Sequence, residues 1–230
     1  VMLPDAAVEA LVDDLVEEAA DRLLEDYKRS VGGFEYPVPV ESIAEHFLGY
    51  DLEITNEGLF ADPKFLGGIS FETNTIFVNA SVEDHEGRYS FTIAHEIGHH
   101  VLHKSLYEEM VVDRSQILCR EEKKKPLIER QADRFAASLM MPAEIIQGSQ
   151  AVAKNRRPPS SLPKAIQFAK GIQEECRFSN VSLSAVVNRL KDLELIDQSI
   201  PYQTGVRWRM GHRSSLKYRL YKFLQRIRGG

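Results

Sequence analysis

The chain has 230 residues, 43% of them hydrophobic and 27% charged, with a net charge of −5. That is enough chain to bury a sizeable core in one large domain, or in one domain with an appendage. The composition excludes a disulfide scaffold, since Cys119 and Cys176 are the only cysteines, and it excludes a membrane span, since no apolar run approaches the roughly 20 residues needed.

The opening VMLPDAAVEALVDDLVEEAADRL is acidic and amphipathic, unlike a signal peptide, so a cytoplasmic protein is expected. Val8, Leu11, Val12, Leu15, Val16, Ala19, Leu23 and Leu24 recur at helical spacing and predict a helix over 5–29, stopped by Gly32-Gly33. A short helix follows Pro39, with Ile43, Ala44, Phe47 and Leu48 inward, and ends at Gly49. DLEIT (51–55) reads as a strand, and ISFETNTIFVN (69–79) as two strands turning around Thr73-Asn74, which gives a small antiparallel sheet. The strand at about Thr75 to Asn79 is expected at a sheet edge, where an extended peptide could add to it.

SVEDHEGRYSFTIAHEIGHHVLH (81–103) is mostly helical, and 104–126 reads as a charged, poorly patterned connection. PLIERQADRFAASLMMP (126–142) is a clear helix bracketed by Pro126 and Pro142. Two or three further helices follow. NVSLSAVVNRLKDLELI (180–196) is similar to the second half of a helix-turn-helix, but Asp192 and Glu194 beside Arg189 and Lys191 leave its face without a basic excess, which favours packing over DNA reading. From Val206 onward there are eight basic residues and no acidic one, so residues 1–205 carry the remaining 21 basic residues against 34 acidic, a balance of −13. In that tail Leu216, Leu220, Phe223, Leu224 and Ile227 share one helical face. A basic amphipathic tail fits docking on the chain's own acidic body, an acidic partner or nucleic acid. The expected organisation is a metallopeptidase-like domain over 1–142, a helical extension over 143–200 and the tail over 201–230.

His95-Glu96-Ile97-Gly98-His99 is an HExxH string. On a helix two histidines four apart converge on one ion, and the glutamate between them reaches a water on that ion rather than the ion itself. Zinc brings such a water's pKa to about 7, and a carboxylate can take its proton, which is the arrangement for hydrolysing an amide. A third protein ligand is required. The extended form HExxHxxGxxH is excluded, because Leu102 and Ser105 stand where its glycine and third histidine belong. The alternative is a glutamate from a later helix with an aspartate four residues on to orient a histidine, and Glu129 and Asp133 in ERQAD have that spacing. Ala132 and Ala136 beside them are small enough to let two helices approach, with Phe135, Leu139 and Met140 packing below. The candidate ligands are therefore His95, His99 and Glu129, with Glu96 as base and Asp133 behind the ligands. His103 is expected to be buried or hydrogen-bonded behind the ligands and His100 to be partly exposed. His46, His85 and His212 have surface or structural roles, and Cys119 is a surface thiol or an inhibitory ligand.

RYSFTIAHEIGHHVLH (88–103) and ERQADRFAASLMMP (129–142), with YPVPVESIAEHFLGYDL (36–52) and TIFVNAS (75–81), resemble the ImmA/IrrE family of metallopeptidases. The resemblance covers about residues 36–142. It implies an α+β, mostly helical gluzincin-like domain with a small sheet beside two zinc helices, holding Zn2+ through His95, His99 and Glu129, with Glu96 as the base. It also implies a substrate class: better-known members cleave helix-turn-helix transcriptional repressors in stress responses or mobile elements. Longer members carry an added sensor-like domain, which is not expected here. The competing readings are a zinc-binding regulator that does not cut and a DNA-binding sensor.

Overall fold

The structure is a computed structural model and describes residues 5–112, 127–155 and 157–203. Cys119, His212 and the basic tail beyond Gln203 lie outside the described residues. Among the described residues no helix is long and apolar enough to cross a membrane.

Helix α1 (Asp5–Val31) buries Val16, Ala20, Leu23, Leu24 and Tyr27, one stripe at helical spacing. Leu15, expected inward, is 56% exposed, because it lies one position off that stripe. Gly32 and Gly33 take positive φ, and the Gly33 N–H closes on the Lys28 carbonyl at 2.9 Å, which ends the helix. Helix α2 (Val40–Ser42) runs straight into a π-helical turn (Ile43–Phe47), with Val40, Ile43 and Ala44 buried.

Three strands follow, β1 (Asp51–Thr55), β2 (Gly67–Ser70) and β3 (Thr75–Asn79), in the order β1-β3-β2. The β2–β3 pair is the expected antiparallel hairpin, but β1 pairs parallel to β3, from Asp51↔Thr75 to Thr55↔Asn79. The sheet is therefore mixed, not wholly antiparallel, and β3 is its centre rather than an edge. The two strand sequences show why. All five residues of TIFVN are buried, as in a strand covered on both faces, whereas DLEIT is half-exposed along its length. At the end of β3 the buried Asn79 side chain donates to the carbonyls of Phe60 (2.7 Å) and Phe65 (2.8 Å) and accepts from the Ser81 N–H (2.9 Å). It thereby pins the loop that leads into β2.

Helix α3 (Glu86–Val112) is longer than expected: residues 104–112 continue it, a stretch that contains no Gly or Pro to stop it. Helix α4 (Leu127–Met140) packs along α3 and against α1. Among the described residues four helices follow where two or three were expected: α5 (Ala143–Gln147), α6 (Gln150–Lys154), α7 (Leu162–Glu175) and α8 (Leu183–Asp192). Ser182 caps α8 through the Ala185 N–H (3.2 Å), and Val186, Val187 and Leu190 face the core.

Arg189, read from sequence as part of a charged outer face, is 1% exposed. Its guanidinium grips the Glu17 carboxylate with two bonds (2.5 and 2.8 Å) and donates Nε–H to the Met141 carbonyl (3.0 Å). Arg134 adds a third bond to Glu17 at 3.0 Å. Helices α1, α4 and α8 are thus joined by one carboxylate. Burial alone would raise the Glu17 pKa, but Arg189 and Arg134 outweigh it and hold the carboxyl below its usual value. A lowered folded-state pKa gives stability that is present above the unfolded value and lost as pH falls through the folded one. Glu17→Gln should cost about 3–5 kcal/mol at neutral pH by leaving Arg189 buried without its counter-charge. Urea unfolding should show the gap between variant and wild type closing in acid, and a gap independent of pH would contradict the assignment.

Candidate metal centre

The centre lies where α3 and α4 come closest. A Cβ on Gly98 would sit 3.2 Å from the Ala132 Cα, 3.2 Å from Phe135 Cδ1 and 3.3 Å from the Ala132 carbonyl oxygen. The absence of a side chain at residue 98 lets the helix backbones meet there without displacement, since even a methyl group would push the neighbours back by a few tenths of an ångström. Ala132 and Ala136 are fully buried on the facing side, with Phe135, Leu139 and Met140 packed below as the sequence implied.

This approach brings His95, His99 and Glu129 together, all buried, with one candidate ligand atom from each lying within 4.8 Å of the others. Nε2 of His95 and Nε2 of His99 are 3.1 Å apart, and the two Glu129 oxygens lie 3.5 Å from them, one each. Donors about 2.0–2.1 Å from a tetrahedral ion lie about 3.3 Å from one another, so each of these nitrogen–nitrogen and nitrogen–oxygen pairs is already close to the separation such an ion imposes. Both Glu129 oxygens are buried without a hydrogen-bond partner, as is Glu96 Oε2. Orphaned carboxylate oxygens are costly in a dry interior, and a cation relieves that cost. The donor set fits a divalent metal.

The surroundings follow the sequence reading with additions. Asp133 Oδ1 lies 2.9 Å from Nδ1 of His95, on the ring edge away from Glu129. His103 is buried and meets Nδ1 of His99 at 3.1 Å, with Gln131 Oε1 at 3.1 Å from its other nitrogen. His100 is half-buried as expected, and its Nδ1 takes the Tyr50 hydroxyl at 2.8 Å. Gln131 and Tyr50 are contacts the sequence did not single out. His46 and His85 are exposed.

Burial disfavours the charged form of His95, yet the Asp133 and Glu129 carboxylates beside it hold its pKa up to about 10. Burial pushes the Glu96 carboxyl up to about 8, with His95 opposing the shift and Glu129 adding to it. Glu96 lies under the start of β2: a Cβ on Gly67 would come within 3.0 Å of Glu96 Oε1 and 2.4 Å of Thr92 Cγ2. The strand at the edge of the sheet beside the centre is therefore β2, not residues 75–79.

Gly98→Val should destabilise the fold by about 1–3 kcal/mol, as overpacking at a tight contact does. Urea melts test this, and a variant as stable as wild type would mean that the helices do not depend on that contact.

Residues 50–159 match the IrrE N-terminal-like domain, a peptidase family. No curated protein matches the chain. The matched segment holds the whole sheet, the HExxH helix and the ExxxD helix, while residues 36–49 precede it. That segment is similar to the peptidase domain of the ImmA/IrrE family over 110 of the chain's 230 residues.

Proposed function

We propose that the chain is a zinc-dependent endopeptidase that cleaves a regulatory protein, with a helix-turn-helix transcriptional repressor as the substrate class and stress response or mobile-element control as the setting. The observation that carries the hydrolytic reading is the buried His95–His99–Glu129 cluster with a fourth buried group, the Glu96 carboxyl, beside it and not part of it. A purely structural zinc site is closed by a fourth protein ligand, and among the described residues the cluster holds three. The repressor substrate is supported by the family resemblance alone.

Two neutral imidazoles and a carboxylate suit zinc, which when bound supplies a Lewis acid for the scissile carbonyl and lowers the pKa of water at its open position. Glu96 takes the proton of the attacking water and returns it to the leaving amine. Its burial disfavours the charged carboxylate, which favours the step in which it takes up the proton. Asp133 accepts from Nδ1–H of His95 and so aims Nε2 at the ion. An extended substrate backbone adds to β2, the edge strand over Glu96.

Incubation of the zinc-loaded protein with helix-turn-helix repressors encoded near its gene, followed by mass spectrometry, should yield discrete fragments. Glu96→Gln should retain stoichiometric zinc and lose cleavage by about 10²-fold or more. Asp133→Ala should instead lose about 10- to 100-fold in zinc affinity or activity. Full cleavage by zinc-loaded Glu96→Gln would remove the base from the mechanism. Backbone N-methylation beside the scissile bond of a cleaved peptide should abolish turnover, and turnover that survives methylation at every position would rule out strand addition.

A further inference from the structure

Metal ligation by a histidine fixes where its proton sits. Nε2 of His95 and Nε2 of His99 face Glu129 and each other, so a cation held by the three takes the Nε2 lone pairs. A neutral ring then carries its proton on Nδ1. In a buried site each Nδ1–H needs an acceptor. His95 has one in Asp133. On that edge His99 faces Nδ1 of His103 at 3.1 Å.

Two N–H groups repel at that distance, and so do two lone pairs. One ring must donate and the other accept. If His103 donated, the proton of a neutral His99 would sit on Nε2, where it blocks ligation. The far side of the His103 ring decides between the two. Its Nε2 lies 3.1 Å from Gln131 Oε1, and an amide carbonyl oxygen only accepts. Nε2 of His103 therefore carries the proton, its Nδ1 is left as a lone pair, and His99 donates to it. The network assigns every proton in the chain His99 → His103 → Gln131, with the His99 Nε2 lone pair free for the ion.

We propose that His103, itself set by Gln131, is a positioning residue that holds His99 in the metal-ligating tautomer. This rests on the zinc reading above and extends it. The two ligating histidines are then oriented by different means, His95 directly by a carboxylate and His99 through a second imidazole. Both chains end on α4, within the five residues Glu129-Arg130-Gln131-Ala132-Asp133. The ExxxD string is functionally ExQxD here: the first residue is a ligand, and the third and fifth terminate the two proton chains.

The test compares His103→Phe, which keeps a ring and removes the acceptor, with His103→Gln, which keeps an acceptor oxygen, and Gln131→Met, which releases the tautomer constraint. Zn2+ affinity is measured by competition with a chromophoric chelator, and ligand geometry by the visible absorption of the Co2+-loaded protein. Melting of the metal-free forms reports fold stability. His103→Phe should lose about 10- to 100-fold in affinity and shift the Co2+ spectrum. His103→Gln should recover most of both, and Gln131→Met should fall between. If His103→Phe does not fold, Gln131→Met decides, since Gln131 is only half-buried. Wild-type affinity in Gln131→Met and in any folded His103→Phe would overturn the proposal, as would a His103→Gln variant that loses as much as His103→Phe. A wild-type chain that takes up no metal would overturn the zinc reading itself and this proposal with it, whereas unchanged variants of a metal-binding wild type overturn only this proposal.

Discussion

Everything at the candidate centre depends on how closely two helices can lie. Glu129 is on a different helix from the histidines it meets, and its side chain is short. It reaches them because Gly98 presents bare backbone to Ala132. A glycine inside a helix costs about 1 kcal/mol relative to alanine, so its place in the middle of α3 runs against local helix stability. That cost is offset at the interface, where α3 and α4 make their most extensive helix contact and surround the cluster with buried side chains.

Helix α4 takes part in two buried charge clusters of opposite character. In one, Glu17 receives bonds from Arg134 and Arg189, and the Arg189 Nε–H goes to a backbone carbonyl. In the other, Glu96 and Glu129 keep carboxylate oxygens that no donor meets. The first cluster is complete within the protein and serves architecture. The second leaves buried oxygens that a cation could satisfy.

What the sequence revealed, and what it hid, follows from the range of each interaction. HExxH and ExxxD are legible because a four-residue repeat places side chains on one helix face whatever surrounds it. The small residues Ala132 and Ala136 announced a close contact on α4, but its counterpart was hidden in plain view, since Gly98 occupies a position of the motif that tolerates any residue. Gln131 and Tyr50 acquire partners only through the rotation and offset of separate elements, which no local spacing encodes. The mixed sheet was misjudged for a related reason: a hairpin is a local signal, whereas the parallel pairing of β1 with β3 joins strands separated by the whole of β2. The uninterrupted burial of TIFVN was the clue to a central strand. Arg189 misled because an arginine reads as surface until its distant carboxylate is known.

That distant carboxylate has a consequence for the order in which the molecule is made. The Glu17–Arg189 pair closes a loop of 172 residues, and contacts between remote positions form late because chain entropy must be surrendered first. During synthesis α1 emerges early and its acidic group waits, with α4 in reach but α8 still absent. The helices around the centre are fastened only when the chain beyond residue 189 has emerged. The growing polypeptide thereby acquires the rigidity of this three-helix clasp only after the segments that carry His95, His99 and Glu129 have emerged.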